Sequence, residues 1–78
     1  MYIESYLHYV TLYTDTGEYM IREKISKLIE KLQVHGFTQV HKSYIINTQY
    51  ILKNTSSTVT LQNETVIPIG RKYRASIK

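Results

Sequence analysis

One stretch limits this chain more than any other. In "KISKLIEKLQVHG", residues 24–36, Ile25, Leu28, Ile29 and Leu32 recur at i, i+3, i+4 and i+7, the stripe of an amphipathic helix. Lys24, Lys27, Glu30 and Lys31 occupy its other faces, and Gly36 suits the left-handed position after the last turn. No Ser, Thr, Asp or Asn stands where an N-cap belongs. His35, beside Gly36, reads as a helix C-terminal residue, where an imidazolium is electrostatically favoured.

The flanks are short β-prone runs divided by turn residues. "YLHYVTLYT", residues 6–14, is dense in aromatic and β-branched residues and reads as one strand. "DTGE" then supplies a tight turn, and "EYMIRE" returns as the second arm of a hairpin. After the helix come "FTQVHKSYIIN", "YILKN", "TVTLQ" and "TVIPIG", with breaks at "NTSS" and "NE". Pro68 requires its strand to be an edge or to end there. The tail "RKYRASIK", with Tyr73 and Ile77 at helical spacing, predicts a short C-terminal helix. These runs predict a mostly β domain with one good helix.

With 78 residues the chain makes one small domain that needs most of its apolar residues to hold a core. The absence of cysteine excludes disulfides and thiolate metal sites, which is compatible with a reducing cytoplasm. No apolar run approaches the roughly 18 residues of a membrane span, and no membrane partner is expected. His8, His35 and His41 match no metal-binding spacing. There are no paired carboxylates, no nucleophile motif and no glycine-rich phosphate loop, so neither an enzyme, a metal site nor a cofactor is expected.

Charge is distributed unevenly. Residues 1–36 carry four Lys/Arg and five acids, net −1, whereas residues 37–78 carry six Lys/Arg against Glu64 alone, net +5. Such a bias suits a surface that faces a polyanion, although ordinary solubility charge gives the same count. Lys42-Ser43, Arg71-Lys72 and Arg74 fall near strand ends or loops, where Arg can pair with guanine and Lys or Ser can hold phosphate. Gly70, just before Arg71, lets backbone approach a partner closely.

"VHKSYIIN", residues 40–47, followed by "YI", a hairpin and "VIPIGRKYR", resembles the LytTR DNA-binding domain. In that family a histidine, a basic residue, Ser, Tyr and Asn stand in this order, with a Pro-[Ile/Val]-[Ser/Gly]-Arg-x-Tyr element downstream. "YIES", the strand-turn-strand and the "KLIEKL" helix sit where the family has theirs, so the resemblance covers nearly the whole chain. It implies a fold of small packed antiparallel sheets with one amphipathic helix and a short C-terminal helix. It also implies a cytoplasmic bacterial transcription regulator, the output domain of a response regulator, that binds duplex DNA through loops entering successive major grooves. Family members usually carry strand sequence and a receiver domain ahead of this point. The expectation is therefore that residues 1–78 are a domain lacking its first strand or strands and an upstream receiver. A homodimer on DNA is left open.

By position, the resemblance assigns base contacts to His8, Lys42 and Arg71, and makes Ser43, Lys72 and Arg74 candidates for phosphate. Gly70 stands where Ser is common in the family. Tyr44, Ile45 and Ile46 would then fix the segment in the core while Lys42 and Ser43 face DNA. His41 reads better as an inward, hydrogen-bonded structural histidine than as a contact. The rival reading is a protein-interaction module: without preceding strands, the edge near residues 2–5 would be left unpaired and available to another chain. An RNA-binding module is a third reading, but its usual aromatic motif is absent.

Overall fold

The computed structural model describes residues 2–76. Its elements are β1 (Tyr2–Tyr6), β2 (Tyr9–Thr14), β3 (Gly17–Ile21), α1 (Ile25–Leu32), β4 (Phe37–His41), β5 (Tyr44–Asn47), β6 (Ile51–Asn54), β7 (Thr58–Leu61) and β8 (Val66–Pro68). Short 3-10 turns occupy Gln33–His35, Thr48–Tyr50 and Arg71–Ser76. The strands form two antiparallel sheets, one of five in the order β3-β2-β1-β5-β4 and one of three in the order β6-β7-β8. This is the mostly β fold that the sequence predicts. The expected C-terminal helix is the 3-10 turn at Arg71–Ser76; Ile77 lies outside the described residues.

The middle of the larger sheet is covered on both faces, with β3 left exposed, and alternation along the strands separates two cores. Ile3, Val10 and Ile45 point to one face, where Leu28 of α1 packs on them with Ile25, Ile29 and Leu32 alongside. The predicted stripe is thus the buried side of the helix. Ile46 and Val40 point to the other face and meet Val59 and Leu61 of β7, Ile67 of β8 and Ile69. Ile45 and Ile46, adjacent and both fully buried, serve different cores. Each removes roughly 1.5–3 kcal/mol worth of apolar surface from water.

Local signals explain the helix boundaries. Lys24 occupies the N-cap position with extended backbone and no side-chain cap, as the missing Ser, Thr, Asp or Asn predicts. The helix tightens into the 3-10 turn and stops at Gly36, whose φ of 85° is left-handed. Pro68 ends β8, an edge strand, in agreement with its missing N–H donor.

Two expectations are corrected. The run from Tyr6 to Thr14 is not one strand: Tyr6 ends β1, Leu7 and His8 form a tight turn, and β2 begins at Tyr9, paired with Tyr6. Leu7 takes a φ of 55°, a conformation usually left to Gly or Asn, so no turn residue announces the reversal. Nor is the backbone at residues 2–5 an exposed edge. β1 lies between β2 and β5, in register Ile3↔Leu12 on one side and Ile3↔Ile45 on the other. The edges of the larger sheet are β3 and β4.

Candidate nucleic-acid interface

Antiparallel order carries several connections to one end of the larger sheet. β1 leaves that end through the Leu7–His8 turn and β2 returns from it. β3 runs back beside β2 with Ile21 opposite Val10, which delivers Arg22 and Lys24 to the same end. β5 pairs with β1 so that Tyr44 lies opposite Glu4, and the Ser5 N–H donates to the Ser43 carbonyl at 2.7 Å. The Lys42-Ser43 turn therefore sits next to the end of β1. The fourth segment arrives from the smaller sheet, where the Gly70 N–H donates to the Val40 carbonyl at 2.7 Å and seats Arg71 against the end of β4. Five strands at about 4.8 Å spacing make this end about 19 Å wide.

The charge follows the topology. The connections at this end, residues 7–8, 22–24, 42–43 and 70–74, carry Arg22, Lys24, Lys42, Arg71, Lys72 and Arg74, with Glu23 as their single acid. The connections at the opposite end, residues 14–17, 33–36, 47–50 and 62–65, carry no Lys or Arg and include Asp15 and Glu64. Asymmetry that looked like a difference between halves of the sequence is a difference between ends of the sheet.

Lys42, Arg71 and Lys72 come together around a groove of about 270 Å³ that His41, Gly70 and Tyr73 also line. All three cations are exposed. Arg74 stands three residues after Arg71 in the 3-10 turn and so projects on the same side, outside the groove lining. His8 is exposed at the tip of its turn and belongs to a neighbouring open cleft of about 590 Å³, together with Arg22, Lys24 and Lys27. The six predicted residues thus reach one end of the sheet: His8 lines one depression, Lys42, Arg71 and Lys72 line another, and Ser43 and Arg74 lie outside both linings.

The turn that presents Lys42 is held from within. His41 is half-buried; its Nδ1 accepts the Ser43 N–H at 3.1 Å, and its ring meets Tyr44 edge-on with centroids 5.5 Å apart. This matches the reading of His41 as a structural, hydrogen-bonded residue. The Nδ1 that accepts must carry no proton, which fixes the tautomer. Ser43 contributes its backbone on both sides, N–H to His41 and carbonyl to Ser5, and its side chain is only half-exposed.

Gly70 has a part in the fold itself. A Cβ at position 70 would lie 3.1 Å from Cδ2 of Tyr73 and 3.6 Å from Cα of His41. The close approach it permits inside the molecule is between the Arg71 segment and the β4 end. Tyr73 in turn packs on the core shared by both sheets, and its N–H donates to the Gly70 carbonyl at 2.9 Å. Arg71 consequently stands on backbone anchored at Gly70 before it and at Tyr73 two residues after it.

Behind the site, Glu4 ties three strands together on the face of the larger sheet that carries Ile46. It accepts from the Tyr44 hydroxyl at 3.1 Å and from the Tyr13 hydroxyl at 3.4 Å, and Tyr13 stacks on Tyr2 at 4.6 Å. Burial first, then the Glu4 carboxylate, raises the pKa of Tyr2, Tyr13 and Tyr44 above 10.0, so all three remain protonated.

Sequence reasoning missed Arg22, Lys24 and Lys27 because they precede or lie in the helix, in the half whose net charge is negative. Only the β2–β3 pairing places them beside His8.

The family model for the LytTr DNA-binding domain matches residues 1–78. The sensory transduction protein LytT of Bacillus subtilis (strain 168) is 25% identical over 75 residues; the match covers 90% of this chain and 31% of that protein's length. With the family model matched over its whole length, this chain belongs to the LytTR family of DNA-binding domains.

Proposed function

We propose that the domain recognises a specific sequence in double-stranded DNA with the cationic end of its five-stranded sheet. The observation that carries this reading is the convergence of His8, Lys42, Ser43, Arg71, Lys72 and Arg74, from three separate segments, on one end whose opposite end has no Lys or Arg in its connections. His8, Lys42 and Arg71 face bases from turns that enter successive major grooves; Ser43, Lys72 and Arg74 hold phosphates and set the register. Turns braced by a sheet suit this role, since the scaffold fixes where each side chain projects.

Within the cell we place the domain in the cytoplasm, as the output part of a bacterial response regulator whose upstream receiver domain controls it. The similarity to a sensory transduction protein, of which this chain spans less than a third, supports that placement. A dimer on a site with two half-sites fits the same reading.

Selection from a pool of random duplexes tests the proposal. Successive rounds with the wild-type protein should enrich one common sequence containing a guanine at the position Arg71 contacts. Bound DNA that stays random after repeated rounds would overturn sequence-specific recognition.

A further inference from the structure

We infer that Arg22, Lys24 and Lys27 form an outer wing of the DNA-binding surface, which grips backbone phosphates beside the bases faced by the Leu7–His8 turn. This rests on the duplex-DNA reading above and extends it to residues from a different part of the chain. All three side chains are exposed and line the cleft that His8 also lines. They come from the β3–α1 connection and the first turn of α1, brought to the Leu7–His8 turn by the pairing of Ile21 with Val10.

Charge bookkeeping favours an anion here. Glu23 is the one acid lining the cleft, and it pairs with Lys31 at 3.7 Å, farther along the helix. That is the one ion pair among the described residues, so Arg22, Lys24 and Lys27 are not neutralised by an internal carboxylate. The first turn of α1 adds no acid. Three uncompensated cations around an open cleft repel one another, an arrangement that a polyanion relieves.

Dimensions favour phosphates over bases. The sheet end is about 19 Å wide, whereas the major groove of B-DNA is about 12 Å wide. With the Leu7–His8 turn centred in that groove, the β3 flank, about 7 Å from the turn, lies at the groove's edge, about 6 Å from its centre. Arg22 and Lys24, one strand farther out, meet the sugar-phosphate wall instead. Such contacts add affinity and salt dependence without adding sequence preference.

The test is fluorescence anisotropy on a mixed-sequence duplex of about 30 base pairs, over a series of salt concentrations. It compares the wild type with Arg22→Gln/Lys24→Gln/Lys27→Gln. Each phosphate contact contributes about −0.9 to the slope of log K against log salt, so the triple variant should lose about two to three units of slope. A control variant, Gln33→Glu/Val34→Glu/Gln49→Glu, changes net charge by the same amount at the opposite end and should keep nearly the wild-type slope. All three substituted positions in each variant are exposed, and thermal melts should show both folded. A steep wild-type slope retained by the triple variant, or an equal loss in the control, would overturn the outer wing and leave the DNA reading standing. A flat wild-type slope would remove both.

Discussion

In the proposed interface, sequence recognition depends most on Arg71. Its backbone is fixed between Gly70, bonded to Val40, and Tyr73, packed in the core, while its guanidinium is exposed. A guanidinium can give guanine O6 and N7 two parallel hydrogen bonds, which an ammonium cannot match. Arg71→Ala should cost about 1–3 kcal/mol on the selected site and much less on random DNA. Arg71→Lys should keep the non-specific affinity and lose most discrimination at one guanine; equal losses on both DNAs would make Arg71 a phosphate contact. His41 acts one step behind. His41→Phe retains an aromatic ring against Tyr44 but cannot accept the Ser43 N–H. Denaturant titration should show a loss of about 1 kcal/mol, and DNA binding should weaken because the Lys42 turn loosens. Unchanged affinity alongside that stability loss would confine His41 to folding. A motif marks both positions in the sequence. Leu7 has no such mark: the reversal there uses a leucine at positive φ, and no local residue type reports it.

Among the elements, β1 has the most demanding position, since it bonds to β2 and β5 and carries Glu4 between Tyr13 and Tyr44. Burial and Glu4 raise the pKa of these tyrosines, so the unfolded chain releases their protons at lower pH than the folded one. Their contribution is complete below about pH 10 and is lost as pH rises from 10 through the folded-state values. Glu4→Gln removes the carboxylate and leaves the burial. The variant should be less stable at pH 7, and its stability should fall less steeply than the wild type's between about pH 9 and 11. Parallel curves in pH-dependent denaturation would show that Glu4 does not couple to the tyrosines. The helix, the two later hairpins and the end at Pro68 could be read locally, from stripe, turn residues and a missing donor. The place of β1 could not, because its second partner, β5, is about 40 residues away in the chain. An expected open edge proved to be the middle of the sheet for that reason.

At the scale of the molecule, the fold converts a scattered set of basic residues into a polar object with one cationic end. The helix and the smaller sheet cover the two faces of the larger sheet's middle strands and leave its ends to the connections. The net charge by sequence halves hinted at this but assigned Arg22, Lys24 and Lys27 to the wrong side of the account, since pairing between strands, not chain order, decides which charges meet. Amide chemical shifts of the labelled protein during titration with the selected duplex test this polarity most directly. The changes should concentrate in residues 7–8, 22–27, 41–43 and 70–74, with the connections at 14–17, 33–36, 47–50 and 62–65 almost unmoved. Changes centred on that second group, or on the exposed β3 edge, would contradict the assignment of the DNA-binding end.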